Sequence, residues 1–167
     1  MRRILLSCAI LGVLTLPAAT ASADANATGK PGFLVVRNAA NNGGVNGKPA
    51  VRVVMQQGFV LGSVGKKDEA RIDVYQLGGQ SAPAAAGSEP SKPVQWHGLP
   101  GREFNGSGFR FRAIGGFYRV EVRGFGVYLF AGGHGNVRFH GEGTYSIDGG
   151  TFRSLPGRIL KRRIGQG

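Results

Sequence analysis

The chain has 167 residues, 30 of them glycine, a single cysteine and a formal net charge of +12. That length suits one domain with a core of its own, and one cysteine excludes a disulfide framework or a thiolate metal cluster. Such a positive balance points to anionic partners (wall polymers, acidic polysaccharide, anionic lipid or free nucleic acid), with solubility alone as the plainer explanation.

Residues 1–23 follow the three-part plan of a secretory signal peptide. Arg2 and Arg3 precede an apolar run over 4–16, Pro17 breaks it, and Ala21, Ser22 and Ala23 supply a cleavage point. The run has 13 residues, short of the ~20 that a spanning helix needs. The expectation is cleavage near Ala23 and a secreted or extracytoplasmic chain of the cell envelope with no transmembrane segment. Cleavage removes Cys8, Arg2 and Arg3 and lowers the net charge to +10. The arginine pair leaves both the general and the twin-arginine export routes open.

No segment holds a 3.6-residue apolar period, whereas short alternating runs of β-branched and aromatic residues recur throughout. The chain reads as all-β. Residues 24–32 are expected to be a flexible leader and 33–157 a single all-β domain. The first half is expected to hold strands at 33–38, 50–57, 59–65 and 70–77, with an Asn/Gly-rich loop at 39–49. Residues 78–93, rich in Gly, Ala, Ser and Pro, read as a flexible loop. Strands then follow at 109–114, 117–123, 127–131, 136–140 and 144–147. Asp148-Gly149 carries a hairpin signal, and 158–167 is a basic C-terminal tail. Spacing near nine residues with tight glycine turns predicts an antiparallel β-sandwich or small barrel, with a β-solenoid as the alternative.

Strand parity separates two faces. Phe109, Phe111, Tyr118, Val120, Val122, Val137 and Phe139 should point inward. Arg110, Arg112, Arg119, Arg123 and Arg138 should point outward around Glu121. The segment 127–131 is apolar on both faces. Either it is covered twice, or Tyr128 and Phe130 form an exposed aromatic patch. The tail contributes Arg158, Lys161, Arg162 and Arg163 with no acid, the densest positive charge in the chain. It reads either as a solvated end with Ile159, Leu160 and Ile164 against the sheet, or as an electrostatic tether.

Three chemistries find little support in the sequence. Arg123, Gly124, Phe125, Gly126 and Phe130 match an RNA-recognition signature, but Val127 replaces a stacking aromatic and the two helices of that fold are missing. No specific nucleic acid is expected. His134, His140 and Glu142 are too few and too loosely placed for zinc, so no metal or cofactor is expected. Glu103, Glu121, Glu142 and Asp148 could serve glycoside hydrolysis, yet no spacing pairs two of them, and no nucleophile elbow or phosphate loop occurs.

The stretch from Gly106 to Gly150, GSGFRFRAIGGFYRVEVRGFGVYLFAGGHGNVRFHGEGTYSIDGG, resembles secreted glycine-rich β proteins of actinobacteria whose function is unassigned. The resemblance implies a surface or envelope setting and carries over no catalytic residue. The expectation is an exported, non-catalytic binding or structural protein that contacts an anionic cell-wall polymer or polysaccharide. The alternative is a carbohydrate-active or wall-modifying enzyme.

Overall fold

The computed structural model describes residues 29–78 and 84–165. The signal-peptide reading over 1–23 and most of the leader lie outside them. Twelve strands follow one another: β1 (Gly32–Ala40), β2 (Val51–Val64), β3 (Ala70–Gly78), β4 (Ala84–Gly87), β5 (Lys92–Trp96), β6 (Leu99–Gly106), β7 (Arg110–Ile114), β8 (Phe117–Gly124), β9 (Val127–Phe139), β10 (Glu142–Ile147), β11 (Arg153–Ser154) and β12 (Leu160–Ile164). Every pairing is antiparallel. The described residues contain no α-helix, and so no helix long and apolar enough to cross a membrane.

The all-β antiparallel expectation holds, and the parallel coils of a solenoid do not occur. The strands form one open sheet whose main path runs from β11 to β5, so it does not close into a barrel. Its axis is β2 paired with β9 along almost their whole length. Each of these strands changes its outer neighbour halfway. The C-terminal half of β2 pairs with β7 and the N-terminal half of β9 with β1. The other halves pair with β8 and β12. Two leaves result: β11-β10-β1-β9-β2-β7-β4, and β12-β9-β2-β8-β3-β6-β5.

The leaves face one another over a common core. Phe104 of the second leaf meets Phe111 of the first at 6.5 Å between centroids, and Phe139 of the second meets Tyr145 of the first at 4.4 Å. Val51, Val53, Val60, Ile72, Val120, Val122 and Leu129 fill the same buried cluster.

Two pairs of expected strands are single bent strands instead. The runs 50–57 and 59–65 are one strand, β2, and the runs 127–131 and 136–140 are one strand, β9. Gly58 and Gly133 sit opposite at the bend with φ of 133° and 127°, and a Cβ at either would collide with the facing backbone. A register shift between Met55 and Gln57 moves β2 across its own parity there. Val51, Val53 and Met55 face the core before the shift, and Val60 and Val64 after it.

Elsewhere the local reading was closer. Residues 144–147 and Asp148-Gly149 form the expected hairpin, closed by a bond from Gly150 N to Ile147 O at 3.0 Å. The 39–49 loop is held by buried Asn41. Its Nδ2 donates to Gly44 O and Lys48 O, both at 2.9 Å, and its Oδ1 accepts from Gly124 N at 2.7 Å. The segment expected as a loop over 78–93 contributes β4 and β5, each paired along one edge only. Pro93 is compatible with such an edge position. The expected tail is also structured: β12 pairs with β9, Ile164 is fully buried, Leu160 packs partly on the core, and Ile159 is exposed.

Candidate functional site: a cationic cleft

The outward face of the second leaf is where strand parity converges charge. One row of facing residues crosses seven strands: Lys161, Arg138, Arg52, Glu121, Asp73, Glu103 and Lys92. The next row runs Arg163, Asn136, Val54, Arg119 and Tyr75. Acids therefore collect on β8, β3 and β6, and cations on β12, β9 and β2. The imbalance comes from register, which sets the basic run Lys161–Arg163 of β12 beside Arg138 and Arg52.

The acidic half is internally paired. Glu121 is 2 % exposed; its Oε1 forms ion-pair contacts with Arg52 Nε at 2.8 Å and Arg119 Nε at 3.2 Å, neither in hydrogen-bond geometry, and its Oε2 pairs with Arg123. Asp73 is buried between Arg123 and Arg71, whose Nε lies 3.1 Å from Oδ1. Arg71 also reaches Glu103 at 2.8 Å. Burial opposes charge on Arg71, but the hydrogen bond and attraction of Asp73, with Glu103, raise its pKa overall. These contacts hold Arg123 within the network.

Arg119 is placed differently. The residue is 5 % exposed, and its guanidinium carbon lies 3.5 Å from the Trp96 ring centroid and 4.9 Å from that of Tyr75. Burial lowers its pKa from the ordinary guanidinium value; Arg52 adds to this, and Glu121 pulls the other way. Its Nε contacts Glu121 without hydrogen-bond geometry, and its buried Nη2 has no hydrogen-bond partner among the described residues. An unsatisfied buried donor on a charged group is uncommon and calls for a reason.

Arg119 lines a cleft of about 540 Å³. Val54, Leu77 and Trp96 give it apolar walls. Arg52, Arg119, Arg138, Lys161, Arg162 and Arg163 give it six cations, and among the described residues no carboxylate lines it. Among the described residues no group of three or more His, Cys, Asp or Glu could hold a metal ion.

The structure divides the residues that parity had placed on one face. Arg119, Arg138, Lys161, Arg162 and Arg163 meet in the cleft. Arg110 and Arg112 do not: they belong to β7 in the other leaf, because β7 and β8 flank different halves of β2. Arg158 is exposed outside the cleft lining. Tyr128 and Phe130 are 49 % and 37 % exposed on the outside of the first leaf. Phe130 stacks on Phe33 at 5.9 Å and meets Phe59 at 5.5 Å. Of the two readings offered for that strand, the exposed patch is the one observed.

Arg52, Trp96 and Leu77 were missed. Arg52 alternates with the inward Val51 and Val53, so parity alone could have found it. Trp96 lay beside a segment read as loop, and no sequence signal links it to Arg119. No protein family, curated protein or solved structure was found to match the chain.

Proposed function

We propose that this is an exported, non-catalytic binding protein of the cell envelope that holds an anionic polymer, a wall polymer or acidic polysaccharide, across the cleft of the second leaf. One observation carries the reading: among the described residues, six cations and no carboxylate line the cleft, around a buried arginine with an unsatisfied donor. Charge of one sign in a low-dielectric hollow focuses the field on an anionic ligand. An enzyme acting on carbohydrate by acid–base chemistry calls for two carboxylates facing the substrate. The acids nearest this cleft, Glu121 and Asp73, face arginines instead.

The test is a salt titration of binding to polyglucuronate and polyphosphate, by the native protein and the Lys161→Gln/Arg163→Gln double variant. Log affinity should fall linearly with log salt, and the variant should lose roughly 0.7–0.9 of slope per removed contact. Identical lines for the two proteins would remove the cleft from the interaction. Truncation is the wrong perturbation, since deleting 158–167 would also strip β12 from the edge of β9.

A further inference from the structure

We infer that the cleft is a socket for one organic oxyanion at a time, a carboxylate or phosphate ester carried on an apolar or ring-shaped body, with its acidic group on Arg119. This rests on reading the cleft as the anion-binding site and specifies the unit that it accepts. A groove that only follows the charge of a polymer needs exposed cations on a polar surface. It needs neither a buried guanidinium nor apolar walls, and this cleft has both.

Arg119 is enclosed but incompletely paired. Its ring-facing plane is covered by Trp96, and its Nε points to Glu121. Nη2 remains a donor without an acceptor. Arg119 itself lines the cleft, so a carboxylate or phosphate held there would meet this guanidinium in a charge-assisted contact, among the strongest available to a side chain. Beside it, Val54 and Leu77 offer contact to carbon and not to charge. A hollow of about 540 Å³ also falls within the ~300–1,000 Å³ of small-molecule sites. It suits a single ring with its acidic group, and Arg138 and Lys161 remain to hold neighbouring charges.

Trp96 is the only tryptophan of the chain and lines the cleft, so its fluorescence reports occupancy. The experiment titrates the full chain with benzoate, phenyl phosphate and inorganic phosphate, exciting at the red edge of tryptophan absorption. Benzoate and phenyl phosphate should change the emission at concentrations ~10-fold or more below inorganic phosphate, the advantage expected from burying a phenyl ring. Leu77→Ser should weaken phenyl phosphate several-fold and leave inorganic phosphate unchanged. Arg119→Lys should weaken both organic anions; if that variant does not fold, Leu77→Ser still decides.

Equal responses to phenyl phosphate and inorganic phosphate, or no response to either organic anion, would overturn the socket. Competition separates this from the polymer reading. A polymer bound with salt dependence but not displaced by either organic anion sinks the socket alone. Organic anions that bind while no polymer does support the socket and sink the polymer reading.

Discussion

Glu121→Gln is the perturbation that tests the charge arrangement most directly. It keeps the shape of the side chain and removes the negative charge shared by Arg52, Arg119 and Arg123. Removing one partner of a buried ion pair costs roughly 3–5 kcal/mol. The three arginines do not suffer equally. Arg52 is 33 % exposed and can turn to water, and Arg123 keeps Asp73. Arg119, at 6 % side-chain exposure, can do neither. One stranded cation places the cost near the lower end, about 3 kcal/mol, or a fall of roughly 6–12 °C in Tm for a domain of this size. Binding should move the other way, because the cleft gains a net positive charge. Polyanion affinity should rise, and added ligand should recover part of the lost stability, since it binds only the folded state. Melting curves with and without polyglucuronate measure both effects. A loss of stability below ~1 kcal/mol, or a fall in affinity, would show that Glu121 is not the counter-charge that holds Arg119 and restrains the cleft.

Three further outcomes are expected. Phe130→Ala should cost no more than about 1.5 kcal/mol in a denaturant melt, instead of the ~3–5 kcal/mol of a core phenylalanine, because its ring is partly exposed beside Phe33 and Phe59. Asn41→Ala should cost about 2–4 kcal/mol by the same assay, since it strands the buried Gly124 N–H and two loop carbonyls. Burial raises the phenol pKa of Tyr118, and of Tyr75, above the ordinary 10.0. The unfolded chain therefore loses these protons at lower pH than the native one. Stability should be intact below pH ~10 and fall above it, by at most ~1.4 kcal/mol per pH unit for each tyrosine. Tyr118→Phe should flatten that decline while losing the bond to Ala113 O, a comparison that denaturant midpoints on either side of pH ~10 provide.

Strand class and facing were legible in the sequence because both are local. A pleated strand alternates its side chains whatever lies beside it. That is why Phe109, Phe111, Tyr118, Val120, Val122, Val137 and Phe139 could be assigned to the core from parity, and all are buried. The Asp148-Gly149 turn was legible for the same reason. Glycine was the ambiguous letter. Gly58 and Gly133 have backbone conformations that serve a chain reversal or a bend equally well, and only the long pairing of β2 with β9 makes them bends. Partner choice was what the tertiary structure decided. Arg110 and Arg119 occupy similar alternating positions in neighbouring strands, yet β7 pairs with one half of β2 and β8 with the other, which sends them to different leaves. Arg119 lies under Trp96 because β8, β3, β6 and β5 stand side by side in the second leaf. Parity says which way a side chain points; the hydrogen-bonded neighbours of its strand, set far away in sequence, determine what it meets there.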